Sequence, residues 1–259
     1  MKRIWGYVVS LLAAGTVVGA ALPACATNDQ SIFIRSILAP SASRVAGACT
    51  YTNDTQQAAL FEARLDVGLT DSYFAVALVG SQLISRGDPQ NNRAESNRTH
   101  ISGGVVRVTE PDGTLIREFT ALATGFNDPQ NNNSPGYGVV GLVVVDAPTS
   151  DILRAGLKNR QQVKTIVANV KVFGTSLGGV DLESAEYPLP MQVCNGCLVR
   201  FDGYDAGVDP LNPKGPNCDL PAEKTQSNDG PCSLGADLPV SCRLCRGLRR
   251  PDVCDPNVP

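Results

Sequence analysis

From Cys49 to Met191 the chain alternates strand-like apolar runs with turn residues, and long helical periodicity is almost absent. "LFEARLDVGL" and "SYFAVALVGSQL" are two such runs, parted by Thr70-Asp71. "GGVVRVTEPDGTLIREFTAL" predicts a hairpin, with Pro111-Asp112-Gly113 as its turn, Val106 and Val108 on one face and Arg107 and Thr109 on the other. "YGVVGLVVV" is a continuous apolar run suited to a central strand. "VKTIVANVKVF" alternates, placing Ile166, Ala168, Val170 and Val172 inward and Lys164, Asn169 and Lys171 outward. "GVDLESAEYPLPM" follows across a turn from Gly174 to Gly179.

The one helical signal is "PTSDILRAGLKNR", where Thr149 or Ser150 caps a short helix with Asp151 in its first turn. A doubly wound α/β fold needs several crossover helices, and the pattern supplies none of them. About seven or eight strands in roughly 140 residues predict an all-β fold, an immunoglobulin-like or related antiparallel β-sandwich.

Ahead of this region, Lys2 and Arg3 precede an apolar or small-residue run from Ile4 to Leu22, and the small residue Ala24 stands before Cys25. The pattern is that of a cleaved export signal. A spanning helix is the competing reading, since about 20 apolar residues cross a bilayer. Gly6, Gly15, Gly19 and Pro23 weaken such a helix, and the run ends on small residues and a cysteine instead of a positive cluster.

Leu22-Pro23-Ala24-Cys25 resembles the lipobox of bacterial lipoproteins, the type II signal peptide, with Pro23 at a position more often Ala, Ser or Thr. The resemblance covers only the first 25 residues. It implies that Cys25 becomes the N-terminus, carrying a diacylglycerol thioether and an N-acyl chain such as palmitate. Two or more chains anchor stably, because each buried CH₂ contributes about 0.8 kcal/mol. Ala26 is not the Asp that retains many lipoproteins at the inner membrane, so the resemblance implies a lipid-anchored outer-membrane protein on either the periplasmic or the cell-surface side.

Loss of residues 1–24 removes two of the 22 basic residues and none of the 25 acidic ones, leaving a formal net charge of −5. Nucleic acid is then a poor partner, because phosphate binding requires a basic face. The same cut removes Trp5, the only tryptophan, which disfavours a carbohydrate-stacking surface.

Beyond Cys25, eight cysteines remain: Cys49, Cys194, Cys197, Cys218, Cys232, Cys242, Cys245 and Cys254. In an oxidising compartment even parity reads as four disulfides. Seven of the eight lie beyond Met191, so full pairing requires a bridge from this tail to Cys49, and Cys194 or Cys197 is the expected partner. Two Cys-x-x-Cys pairs, Cys194/Cys197 and Cys242/Cys245, invite zinc or redox readings. Zinc ribbons space their pairs about 15 to 20 residues apart, closer than these. A redox pair of the thioredoxin type needs a following helix, which "CNGCLVRFDGYDAG" does not offer. The tail, rich in Pro, Gly, Asn and Asp, is expected to be a small, disulfide-rich, loop-dominated region.

Asp88-Pro89-Gln90-Asn91-Asn92 recurs as Asp128-Pro129-Gln130-Asn131-Asn132. A down strand, a turn and an up strand lie between the copies, so both loops are expected at one end of the sandwich, as candidate binding loops through Asp88, Asn91, Asn92, Asp128, Asn131 and Asn132. Calcium would use the two carboxylates, but two are few for a tight cage. Asp202, Asp205 and Asp209 lack the spacing of a calcium loop. His100 is the only histidine, and without a Gly-x-Ser-x-Gly elbow it does not make a hydrolase triad.

The expected organisation is a signal peptide at 1–24, an anchor, tether and first apolar segment at 25–48, a β-sandwich at 49–193 and a stapled cysteine-rich tail at 194–259. The expected function is a non-enzymatic binding, scaffolding or structural role in the cell envelope, beside an envelope protein partner. No catalytic residue, metal or cofactor is assigned. The alternatives are an envelope thiol–disulfide enzyme and a calcium-dependent adhesion module.

Overall fold

The computed structural model describes residues 31–41, 48–132, 134–160, 162–201, 232–242 and 253. Cys25, Cys218, Cys245, Cys254 and the aspartates at 202, 205 and 209 lie outside them. The chain is all-β. Among the described residues its strands in order are β1 (Ile32–Leu38), β2 (Ala59–Leu60), β3 (Ala63–Asp66), β4 (Tyr73–Ser81), β5 (Thr99–Thr109), β6 (Leu115–Asn127), β7 (Gly136–Val145), β8 (Val163–Ser176), β9 (Asp181–Glu183), β10 (Tyr187–Cys194), β11 (Val199–Arg200) and β12 (Val240–Ser241), with one α-helix, α1 (Ala147–Ala155), between β7 and β8.

Among the described residues ten strands form one sheet in the order β2-β1-β4-β7-β6-β5-β8-β10-β3, with β9 added beside β8. β6 belongs to both halves: it pairs along its length with β5 and touches β7 through Thr124 and Gly141. The halves face each other across one core, where Ile32 and Ile37 of β1, Ala77 and Val79 of β4 and Leu142 of β7 meet Val106 of β5, Ile166 and Val170 of β8 and Met191 of β10. Burying these branched side chains between two apolar faces is the main stabilising term.

The alternation read from β8 holds: Ile166, Ala168, Val170 and Val172 are fully buried, while Lys164 pairs with Glu110 at 2.6 Å and Lys171 with Glu183. The β5–β6 hairpin turns at Pro111-Asp112-Gly113, where Gly113 takes φ +90 and the Asp112 carboxylate accepts the Thr114 N–H. β4 is apolar and buried on both faces from Ala75 to Val79, where both faces are covered. Leu38, Val76 and Leu78 pack outside the sheet against Tyr51, Tyr137 and Val139.

Three features depart from expectation. β3 pairs with β10 in parallel, as β11 does with β12, within a pattern otherwise antiparallel. The helix cap is Asp146, whose carboxylate accepts the Thr149 N–H at 3.0 Å. Pro148 in the first turn needs no N–H partner and lets the helix start upstream of the predicted caps. Finally, the segment before Cys49 is part of the body, since β1 lies between β2 and β4.

Candidate functional site

The two Asp-Pro-Gln-Asn-Asn loops stand at one end, as Thr99 at the start of β5 lies opposite Asn127 at the end of β6. Each turns on its last asparagine: Asn92 has φ 52 and Asn132 φ 48, a left-handed backbone that asparagine tolerates. The carboxylates differ. Asp88 accepts the N–H groups of Gln90 and Asn91 and the Asn91 side-chain amide, and these hydrogen bonds, the side-chain one foremost, hold its pKa below the usual range. Asp128 pairs with Arg98 Nε at 3.0 Å. Asn131 exchanges backbone hydrogen bonds with Ser134.

The loops are tied together through Gln130, whose N–H donates to the Leu83 carbonyl at 2.6 Å and whose carbonyl accepts the Ser85 N–H at 3.2 Å. Glu95 braces the first loop. Burial alone would raise its pKa, but the Ser85 hydroxyl and the N–H groups of Asn97, Gly87 and Arg86 outweigh it and hold the carboxyl at about 2. His100 stacks on Phe126 with ring centroids 5.0 Å apart, and Arg98 lies over the same ring. Among the described residues, no group of three or more acidic, histidine or cysteine side chains gathers here as metal ligands would. The edge is a polar surface on which Asp88, Glu95 and Asp128 already hold protein partners.

The cysteines correct one expectation. Cys49 bonds to Cys232, across 183 residues, instead of Cys194 or Cys197, which bond to each other. The placement of the strands goes with this: β10 runs beside β3 and closes on Cys197 in its own turn, while the segment after Cys232 bridges to β3 through Ala236 and Leu65. Cys242 is disulfide-bonded to a partner outside the described residues. It also joins a second small core with Leu69, Leu198, Val199, Val240 and Val253.

At the end opposite the loops, the Cys49–Cys232 bridge walls a cavity of about 630 Å³. Leu38 of β1, Tyr51, the first residues of β4 and Leu238 line it, and the lining is mainly apolar. Its polar group is a pair. The Tyr73 hydroxyl donates to Asp237 Oδ2 at 2.7 Å, and Asp237 Oδ1 accepts the Arg64 N–H at 3.0 Å. Burial raises the Asp237 carboxyl above its ordinary pKa against the pull of these hydrogen bonds, and burial followed by the Asp237 charge raises the Tyr73 phenol. Asp237 holds φ 60, uncommon outside glycine and asparagine. Phe74 and Leu238, which line the cavity, are 59% and 43% exposed.

Sequence reasoning missed this site. Asp237 stands in a tail that reads as solvated turns, and the available signal was weak: Leu234, Ala236, Leu238 and Val240 alternate apolar positions between two cysteines. A cavity of this size, largely apolar, with a convergent polar pair and a perturbed carboxyl, has the properties of a small-molecule site.

Comparison with protein-family models, with curated proteins and with solved structures yields no match. The fold and site define a disulfide-braced all-β domain with an apolar cavity at one end and a polar loop edge at the other.

Proposed function

We propose that the protein is a lipid-anchored component of the outer membrane with a non-enzymatic binding role, and that it holds a small, largely apolar ligand bearing one hydrogen-bonding group in the cavity at the shared end of β1 and β4. The cavity carries this reading: its lining excludes charged ligands by desolvation cost, and the Tyr73–Asp237 pair orients one polar atom.

The lipobox resemblance supports the anchor, and the topology gives it a direction. β1 begins where β4 ends, with Ile32 opposite Ser81 and the Gln82 N–H donating to the Ser31 carbonyl at 2.9 Å, so the tether joins at the end that carries the Asp-Pro-Gln-Asn-Asn loops. About six residues separate Cys25 from Ser31, a reach of roughly 20 Å. An acylated Cys25 therefore turns the loop edge toward the lipid surface and the cavity away from it, by the length of a strand of nine residues, roughly 30 Å. The loops then meet headgroups or a neighbouring envelope protein, and the cavity faces the aqueous side.

Two mass measurements test this reading. The intact mass of membrane-extracted protein should equal the chain from Cys25 with its acyl groups, and native spectra in mild detergent should show a bound small molecule lost in Tyr73→Ala. A chain that keeps residues 1–24 overturns the anchor, and a bare wild-type mass across detergents overturns the ligand.

A further inference from the structure

In the parallel pairing of β3 and β10, Asp66 stands directly beside Cys194. Its carboxylate is fully buried and laced into the Cys-x-x-Cys turn. Oδ1 accepts the Gly196 N–H at 2.6 Å and the Gly68 N–H at 2.9 Å, and Oδ2 accepts the Leu198 N–H at 2.9 Å. The Val67 N–H, next in β3, donates to the Cys194 carbonyl at 2.9 Å. A carboxylate oxygen and both sulfurs lie within 4.8 Å of one another.

The two sulfurs differ in access. Cys194 is 1% exposed, whereas Cys197 faces solvent. Over the turn lies Arg160: a Cβ added at Gly196 would sit 3.1 Å from Arg160 Cγ and 3.3 Å from its Nε, and Gly196 itself has φ +92, so glycine serves here on both counts. The Arg160 guanidinium itself lies over the Phe201 ring, 4.8 Å from its centroid.

As a brace, this disulfide is poorly placed. It closes a loop of only three residues' separation, whereas Cys49–Cys232 spans 183, and the entropic contribution of a cross-link grows with loop length. One buried sulfur beside a buried carboxyl and one exposed sulfur are what stepwise exchange requires. We propose that Cys194–Cys197 is an exchange-competent disulfide that accepts electrons from a dithiol protein, with Cys197 the sulfur attacked and Asp66 the group that gives and retakes the proton of Cys194.

In the forward step the incoming thiolate attacks Cys197 Sγ, the Cys194–Cys197 bond breaks, and a mixed disulfide forms. Cys194 leaves as a thiolate and takes the proton of Asp66, whose anion stays in its cage of N–H groups. The partner's second thiol, deprotonated to solvent, attacks its own sulfur in the mixed disulfide and releases Cys197. Two electrons move from the dithiol to the pair, solvent supplies the proton of Cys197, and Asp66 stays an anion until the ring closes again. In reverse, Asp66 takes the proton of Cys194 as it closes the ring. Burial raises the Asp66 carboxyl, with the Gly196, Leu198, Gly68 and Leu69 N–H groups acting against it. The other charged groups packed around it are Arg154, which donates to the Val67 carbonyl and pairs with Asp71, Arg160 over Gly196, and Asp237 on the far side of β3.

The test uses the full chain with an aromatic disulfide reagent and with glutathione. Cys194→Ser, which leaves Cys197, should react with the reagent at least tenfold faster than Cys197→Ser, which leaves Cys194. Closure of the ring from the glutathione mixed disulfide in the otherwise wild-type chain should level off with rising pH, and in Asp66→Asn it should climb with hydroxide. Equal reactivity of the two single variants, or a wild-type closure rate that climbs with hydroxide throughout, overturns the proposal. The wild-type profile decides the matter even if Asp66→Asn does not fold. Resistance of Cys194–Cys197 to an excess of dithiothreitol under native conditions also overturns it.

Discussion

Tyr73, the first residue of β4, donates its hydroxyl to Asp237 at 2.7 Å across 164 residues of chain, and so ties the sheet to the segment that follows Cys232. The phenol is 1% exposed, so its hydrogen bond has no competition from bulk water. Tyr73→Phe keeps the ring and leaves Asp237 Oδ2 without this donor, which should cost about 1–2 kcal/mol in urea denaturation at neutral pH. An unchanged midpoint would mean that water replaces the donor.

The same carboxyl gives a pH signature. Burial raises its folded-state pKa above the unfolded value, so its contribution to stability is fully present below the ordinary carboxylate range and is lost as pH rises through the raised value. Asp237→Asn removes this titration, and asparagine accepts the left-handed backbone at φ 60 without added strain. The variant should therefore gain on the wild type as pH rises above the ordinary carboxylate range, in paired denaturation curves. Parallel curves at all pH values would show that the carboxyl titrates normally.

Glu95 has the opposite sign. Its folded-state pKa is held at about 2 by Ser85 and three backbone N–H groups against the upward push of burial, so its stabilising contribution is present above the unfolded carboxyl value of about 4.3 and is lost as pH falls toward 2. Glu95→Gln should narrow the difference in stability between pH 6 and pH 3, measured by thermal denaturation. The change should appear first in hydrogen exchange at Gly87 and Asn97, whose N–H groups the carboxylate accepts.

Residue pattern alone reveals strands whose two faces differ. β8 reads from its alternation, and β5–β6 from a turn that only Pro-Asp-Gly chemistry explains. The common end of the repeated loops also reads from the sequence, because a hairpin between two copies returns the chain to its starting edge. Asp66 beside Cys194 does not, since a parallel pair is separated by most of the sheet along the chain and neither strand marks its partner. Asp237 stayed hidden for a similar reason: short apolar positions in a Pro- and Gly-rich tail gain meaning only once β3 offers an edge to pair with.

Asn92 and Asn132 carry equivalent roles in their loops, with φ 52 and 48, and both side chains are exposed. Backbone conformation, not packing, should therefore set the effect of substitution. Asn92→Gly and Asn132→Gly should leave stability within about 0.5 kcal/mol, whereas valine at either position should cost about 1–2 kcal/mol, because a branched Cβ opposes the left-handed region. Chemical denaturation of the four variants checks this, and equal effects of glycine and valine would place the cost in lost side-chain contacts instead.

Cys49–Cys232 closes the longest loop seen among the described residues, and the chain-entropy model assigns such a cross-link about 5 kcal/mol. The segment it fixes is held in other ways too: the Asp66 N–H donates to the Gly235 carbonyl at 2.8 Å and the Asp237 N–H to the Arg64 carbonyl at 3.0 Å. These bonds form only after β3 and the tail have met, so in the unfolded chain the bridge alone keeps the two near each other. Replacing both cysteines with serine should lower stability by about 3–5 kcal/mol and weaken ligand retention in the cavity it walls, read by nonreducing urea titration and by native mass. If stability falls while the ligand stays bound, the β3 pairing suffices to shape the cavity. If neither changes, the bridge restrains a chain end that the sheet already holds.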